Sequence, residues 1–220
     1  MGQELIARGH QVSENTVAKL MRDHGMRAAS SRKFRVTTDS NHSRPVAENV
    51  LNREFSQELP DRVWLADITY IWTREGWLYL ACVLDTYSRR IVGWEYQESM
   101  TDALVLASLR KAIKNRQPPA KLIHHSDRGG QYASGDYRTV LRRAGMLQSM
   151  SAAADCYDNA FMESCFGTLK TELELSEYAD STEAVRKLSE YVRYYNRDRR
   201  HSSLGYLNPA EFEEQSTVPI

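Results

Sequence analysis

The stretch from Val63 to Tyr96, VWLADITYIWTREGWLYLACVLDTYSRRIVGWEY, decides the fold class. Runs rich in Val, Ile, Leu, Trp and Tyr at 63–72, 77–85 and 90–96 are separated by the short turns Arg74-Glu75-Gly76 and Thr86 to Arg89. That pattern predicts three strands in an antiparallel meander. Asp67 stands inside the first strand, an expensive place for a carboxylate unless a cation or a donor meets it. Downstream the signal alternates. Residues 101–114 predict a helix with Ala103, Leu106, Ala107 and Ile113 on one side, stopped by Pro118 and Pro119. Leu122 to Ser126 is a short apolar strand running straight into Asp127-Arg128-Gly129-Gly130. A helix over 135–144, a brief strand near Leu147 and two long helices at 158–175 and 181–196 complete the set. A meander followed by alternating helix and strand predicts a mixed sheet covered on both faces, an α/β domain spanning 63–197.

Upstream, residues 1–27 predict a partial helix-turn-helix segment. Ser13 is placed as an N-cap, Val12 and Val17 as a hydrophobic staple, and Val17, Leu20 and Met21 as a helical stripe, while Gly9 ends a short preceding helix. Residues 28–62, rich in Ser, Asn and Arg, predict a linker, and 198–220 a C-terminal tail.

Composition narrows the function classes. The 220 residues carry 29 Lys+Arg and 29 Asp+Glu, with 41% hydrophobic residues and a mean hydropathy of −0.58, values of an ordinary soluble globule. No apolar run approaches the ~18 residues of a membrane helix. The N-terminus has no cationic stretch followed by a hydrophobic one, so the expected location is cytoplasmic. Cys82, Cys156 and Cys165 lack any C-x-x-C spacing, which speaks against a disulfide framework and a thiolate zinc site. A net charge of zero argues against an evenly basic nucleic-acid coat, yet basic windows occur at Arg27–Arg35 and Arg193–His201, the second beside Tyr191, Tyr194 and Tyr195. Aromatic faces interleaved with guanidinium groups suit distorted or single-stranded nucleic acid.

Three acids occupy positions a sheet-based site would use: Asp67, Asp127 and Glu163. At about 100° per residue, Asn159 and Lys170 fall within about 40° of Glu163 on a helical wheel, at the margin of a stripe of Met162, Phe166, Leu169 and Leu173. Carboxylates converging from two strands and a helix suit hard cations such as Mg²⁺ or Mn²⁺. With this many acids, a triple at any chosen pair of separations is expected about 0.5 times by chance. Context therefore supplies the specificity: WLADITYI, HHSDRGGQY and DCYDNAFMESCFGTLKTE.

With H-S-D-R-G-G-Q-Y at 125–132, D-N-A-F-M-E-S at 158–164 and H-S-S-L-G-Y-L-N-P-A at 201–210, the chain resembles the OrfB-type transposases of bacterial insertion sequences. These are members of the DDE transposase and retroviral integrase superfamily, and the resemblance implies a ribonuclease H-like mixed five-stranded sheet flanked by helices. It further implies a catalytic triad of Asp67, Asp127 and Glu163 holding two Mg²⁺ or Mn²⁺ ions per active site. The implied activity is DNA cleavage and strand transfer, on double-stranded DNA at mobile-element ends and on target DNA, by a homodimer or larger assembly associated with the bacterial nucleoid. By the same resemblance Lys170 contacts terminal DNA, and Arg197, Arg199, Arg200 and His201 favour DNA over solvent. Asn159 is read as a DNA contact or, with Asp158, as a cap of the glutamate helix. The chain departs from the family in carrying Ser151-Ala152-Ala153-Ala154 where a basic residue and a Gly are usual, which removes phosphate contacts. A nonspecific nuclease on the same fold and a weakly active DNA-binding regulatory remnant are the competing readings.

Other residues have plainer expectations. Asp85 is read as a turn cap rather than an accessory metal ligand, Gly129-Gly130 as a turn rather than a phosphate cradle, and one of His124 and His125 as packing under the sheet. Trp72, Trp77 and Trp94 are expected in the core.

Overall fold

The computed structural model describes residues 1–27, 43–152, 159–173 and 178–216. The meander forms as the sequence predicts: β1 (Val63–Thr73), β2 (Gly76–Asp85) and β3 (Ile91–Gln97) pair antiparallel in that order. The β1–β2 turn closes between Thr73 and Gly76, where the Thr73 hydroxyl donates to the Gly76 carbonyl at 2.9 Å. Gly76 takes φ 133°, a conformation that suits a residue without Cβ. Then β4 (Ile123–Ser126) joins the other edge of β1 in parallel, and β5 (Leu147–Met150) extends it, giving the order β3-β2-β1-β4-β5. The parallel joins are made through α3 (Asp102–Arg116) and α4 (Gly135–Arg143), as crossovers between parallel strands require.

Alternation along β1 divides the core into two layers. Trp64 and Ala66 pack with Ala81, Val83, Leu104, Leu109, Tyr137 and Leu141 on the α3–α4 face. Val63, Leu65 and Ile71 pack on the other face, against α5 (Ala160–Glu172) and α6 (Ser181–Arg197), through Phe166, Leu169, Leu188 and Tyr195. Burying each such large side chain contributes roughly 1.5–3 kcal/mol. Asp67 continues the odd-numbered series and so faces the α5 side.

At the far end of the sheet, α7 (Pro209–Ser216) is started by a reciprocal cap. Asn208 Oδ1 accepts from the Glu211 amide at 2.9 Å, and Glu211 Oε2 accepts from the Asn208 amide at 3.3 Å, with Pro209 at the first helical position. This delivers Glu213 into a half-buried ion network, where it meets Arg90 at 2.6 Å, Arg116 at 2.8 Å and the Ser88 hydroxyl at 2.7 Å. Arg116 also meets Asp61 at 2.8 Å. Phe212 stacks at 5.1 Å on Tyr87.

The N-terminal segment holds two helices, α1 (Gly2–Ala7) and α2 (Glu14–Asp23), and the Ser13 hydroxyl caps α2 by accepting from the Thr16 amide. The stripe expected to pack them is only partly used: Val17 is buried, whereas Leu20 is 47% exposed. A packed helix-turn-helix is therefore not among the described features. Within the segment read as a linker, residues 43–62 lie against the sheet. The Val50 and Leu51 amides donate to Ser149 Oγ, and Arg44 meets Asp102 and the Gly130 carbonyl. Among the described residues no helix is long and apolar enough to cross a membrane.

Strand β3 lies directly under α3 at Gly93. A Cβ there would come within 2.4 Å of the Ser108 carbonyl and 2.7 Å of Ala112 Cβ. Gly93→Ala is expected to destabilise the protein by about 1–3 kcal/mol through overpacking, read as a lower urea midpoint at unchanged m-value.

Candidate active site

The parallel pairing of β1 with β4 stops at Ala66↔Ser126, and the next residue on each strand is an acid, Asp67 and Asp127. Neighbouring strands run about 4.8 Å apart, so register alone sets the two carboxylates side by side. Past Ser126 the chain turns: the Gly129 amide donates to Asp127 Oδ1 at 2.9 Å and the Tyr132 amide to the Gly129 carbonyl at 3.0 Å. A Cβ at Gly129 would stand 2.9 Å from that same Oδ1, so a side chain there would push the carboxylate aside. The Gly-Gly segment thus acts as the expected turn, and it aims the carboxylate.

Asp67 is buried, and Oδ1 accepts from the Ile68 amide at 2.7 Å. Burial, then the negative charge of Asp127, then that of Glu163, push its carboxyl well above the ordinary range; the Ile68 amide and Lys170 oppose the rise. Glu163 is partly exposed in the first turn of α5, and burial raises its pKa as well. Two turns on, Lys170 lies with Nζ 4.5 Å from the centre of the Tyr70 ring. Burial lowers its pKa, and Asp67 draws it back up. The structure therefore brings Asp67 beside Asp127, with Glu163 and Lys170 in electrostatic reach. Among the described residues, no three of His, Cys, Asp and Glu converge closely enough to hold a metal ion as they stand.

The donor set suits a hard divalent cation. It consists of carboxylates, and a buried carboxylate beside a second, half-buried one is what such an ion would neutralise. Imidazole takes no part, because both histidines before Asp127 are fully buried. The His125 ring nitrogens lie 2.9 Å and 3.2 Å from the Ser149 and Ser151 hydroxyls, and His124 Nε2 lies 3.1 Å from the Tyr137 hydroxyl. Burial drives His124 down to about 3. Asp85 is the turn cap expected of it, accepting from the Asp61 amide at 2.6 Å and the Tyr87 amide at 2.8 Å.

Known proteins share this organisation. Residues 57–156 and 144–209 each match an integrase core domain family. The chain is 47% identical over 215 residues to an uncharacterized 31 kDa protein of insertion element IS600 from Shigella sonnei, covering 96% of this chain and 79% of that protein. It is 44% identical to the transposase InsF for insertion sequence IS3fB of Escherichia coli strain K12, covering 97% and 75%. The chain belongs to the insertion-sequence transposases with an integrase core. The fold of this transposase is that of retroviral integrase cores, as the sequence implied. A chain of the simian T-cell lymphotropic virus intasome superposes with a TM-score of 0.65 at 18% identity, over 83% of the transposase and 63% of the viral chain. The catalytic core domain of BIV integrase gives 0.52 at 20% identity, over 71% and 95%.

The remaining site candidates of the transposase fall in different settings. Asn159 occupies the N-cap position of α5 but makes no side-chain cap bond. Only 7% of it is exposed, and its Oδ1 is buried without a partner. Arg197 is exposed. Arg199 gives Nε to both oxygens of Glu172 at 2.8 and 3.0 Å, and Arg200 gives Nε to Glu4 at 2.7 Å. His201 packs edge-on against Tyr195 at 4.8 Å, and burial, then Arg199 and Arg89, lower its pKa to about 4, so it is uncharged at neutral pH. Trp72 and Trp77 are not core residues: each is 46% exposed, stacked edge-to-face at 4.8 Å at the β1–β2 hairpin tip, with Tyr70 against Trp77. Among the described residues no layer buries these two rings, a fact the strand pattern does not carry. Asp158, Cys156, Ala153, Ala154 and the basic residues Arg32, Lys33 and Arg35 lie outside the described residues.

Two expectations follow from the acid pair. An acid whose folded pKa lies above its unfolded value of 3.8 is no burden while protonated in both states, and it costs stability as pH rises through the folded pKa. Asp67→Asn is therefore expected to raise the melting temperature of the metal-free protein at pH 8 by about 2 °C or more. The gain should vanish toward pH 4, and an unchanged melting temperature at pH 8 would contradict the buried like-charge pair. Gly129→Ala should leave the melting temperature within about 2 °C while lowering metal-dependent activity, since its Cβ displaces the Asp127 carboxylate and little else.

Proposed function

We propose that this transposase cuts and joins DNA at the ends of a mobile element through Asp67, Asp127 and Glu163, holding two divalent ions, Mg²⁺ or Mn²⁺. The observation that carries the reading is the buried Asp67 set against Asp127 by strand register, with Glu163 and Lys170 on the facing helix. Bound there, the ions would supply Lewis acidity for the attacking and leaving oxygens of an in-line displacement. Asp67, fixed in the middle of β1, with Asp127 at the end of β4 and Glu163 on α5, would hold the ions.

Cleavage would be hydrolysis of a phosphodiester at the element end, water's oxygen forming one P–O bond as another breaks, to leave a 3′-hydroxyl. Strand transfer would repeat the exchange with that 3′-hydroxyl as nucleophile on target DNA. One bond forms for each broken, so no energy-carrying cofactor is required. Lys170 would hold a terminal phosphate near the scissile position, and Arg197, Arg199, Arg200 and His201 are assigned to backbone contact farther off. Asn159, its Oδ1 unmatched, is assigned to the DNA-facing start of α5. Trp72, Trp77 and Tyr70 offer stacking faces to a base drawn out of the duplex end. Bringing two element ends together requires a homodimer or larger assembly, working in the bacterial cytoplasm on nucleoid DNA.

The test uses labelled element ends and a target duplex with Mn²⁺. Joined products are expected from the parent protein, reduced more than about 100-fold in Glu163→Gln. Nicked ends without joined product would indicate a nuclease instead, and undiminished joining by Glu163→Gln would remove Glu163 from the site.

A further inference from the structure

A cavity of about 350 Å³ opens on the flank of α5 turned away from Glu163, within the roughly 300–1,000 Å³ range of ligand pockets. Its lining includes Arg89, Arg199, Arg200, Ser164, Thr168 and His201, and among the described residues no Asp or Glu lines it. Ser164 and Thr168 stand one turn apart on α5, about 100° and 140° round the helix from Glu163. The helix itself therefore separates this cavity from the acid site.

Arg89 is its distinguishing residue. It sits in the turn between β2 and β3 at φ 62°, a left-handed conformation that side chains with a Cβ adopt at a cost. Its guanidinium carbon lies 3.7 Å from the centre of the Phe161 ring on α5. Among the described residues Arg89 makes no hydrogen bond and no ion pair. The contrast is Arg116, as well covered, which meets both Asp61 and Glu213. Burial without an acid beside it lowers the pKa of Arg89, which supports the same reading. Arg199 and Arg200 are anchored from outside: the carboxylates that take their Nε, on Glu172 and Glu4, do not line the cavity. Three guanidinium groups thus reach a space with the hydroxyls of Ser164, Thr168, Ser202 and Ser203, a neutral imidazole and, among the described residues, no Asp or Glu. Planar guanidinium donors with hydroxyls match the oxygens of a phosphate group, and a half-covered cation without a counter-charge favours an anion there.

We infer that this cavity binds a phosphodiester of the DNA backbone, a second grip on the strand on the other side of the glutamate helix. The inference rests on the DNA-acting reading above for its ligand. Arg89 supplies the charge, Ser164 and Thr168 supply hydroxyl donors, and Arg199 and Arg200 close the remaining side. A strand held there and at Lys170 would straddle α5, fixing the direction in which DNA passes Glu163.

The test separates the cavity from the chemistry. Binding is measured in a Glu163→Gln background, where DNA stays intact, by anisotropy of a labelled duplex across a salt series, alone and with Arg89→Ala or Ser164→Asp. Ser164 is exposed, so Ser164→Asp puts a negative charge at the cavity without disturbing the core and carries the test if Arg89→Ala fails to fold. A parallel arm follows melting temperature in inorganic phosphate against chloride at matched ionic strength. The expected result is that phosphate stabilises the parent and neither variant, and that each variant lowers the slope of log affinity against log salt by about 1. Stabilisation by phosphate with an unmoved salt slope would assign the cavity to a free phosphate and overturn the DNA assignment. No effect in either arm would overturn the site. Neither result depends on whether Glu163→Gln abolishes joining, so the two readings fail separately.

Discussion

Asp67 is a carboxylate in the middle strand of a five-stranded sheet, and the desolvation of that one group governs what surrounds it. A lone buried charge is costly, and a second one beside it costs more. Here the neighbour is forced by geometry. The β1–β4 pairing ends one residue before each acid, so the carboxylates emerge together where the sheet stops being paired. The turn after Asp127 spends a Gly129 amide on that side chain, Asp67 receives one from Ile68, and Lys170 reaches toward the pair from α5. Desolvation and the charges of Asp127 and Glu163 still hold Asp67 well above the ordinary carboxylate range, and a multivalent cation bound there would relieve that cost, an instability accepted for function.

The cost has a support at the opposite end of the sheet. Asp61, Arg90, Arg116 and Glu213 join the turn leading into β1, the start of β3, the end of α3 and the C-terminal helix in one ion network. There each carboxylate faces a guanidinium. Burial raises Asp85 nearby to about 7, although two amides hold its oxygens. Buried ion pairs of this sort give less net stability than their short distances suggest. Their effect is to fix one docking of α7, and with it the end of α6 against α5.

Much of this was legible in the sequence because it is periodic or punctuated. The strands at 63–72, 77–85 and 90–96 appear within a residue or so as Val63–Thr73, Gly76–Asp85 and Ile91–Gln97, since β-branched runs broken by turn residues have few other solutions. The wheel that put Lys170 beside Glu163 works because α5 is regular. What escaped depends on a partner the local sequence does not name. Trp72 and Trp77 look like core residues, yet both stay half exposed at the hairpin tip. Leu20 reads as part of a stripe, but a stripe is buried only if another face meets it. Glu213, in a polar run, gives no sign that it ends among arginines. The side-by-side placement of Asp67 and Asp127 needs the register of two strands separated by a helix, and no spacing rule supplies that.

Charge shows the same division most clearly. Summed over the chain, acids and bases cancel, but they do not cancel locally. The buried acids lie in two places, Asp67 beside the carboxylate of Asp127, and Glu213 and Asp85 near Arg90 and Arg116. Along the α5–α6 flank the imbalance reverses: among the described residues Arg89 meets no acid, and the acids of Arg199 and Arg200 sit outside the cavity those side chains line. Helix α5 lies between a surplus of negative charge at Asp67 and a surplus of positive charge at Arg89, with its third flank, Met162, Phe166 and Leu169, locked into the core. A cation on one side and a phosphate on the other would correct both surpluses at once, and DNA with its metal ions is a partner that brings both. A net charge near zero is then compatible with a nucleic-acid partner, because the field that the partner meets is set by these separated surpluses and not by their sum.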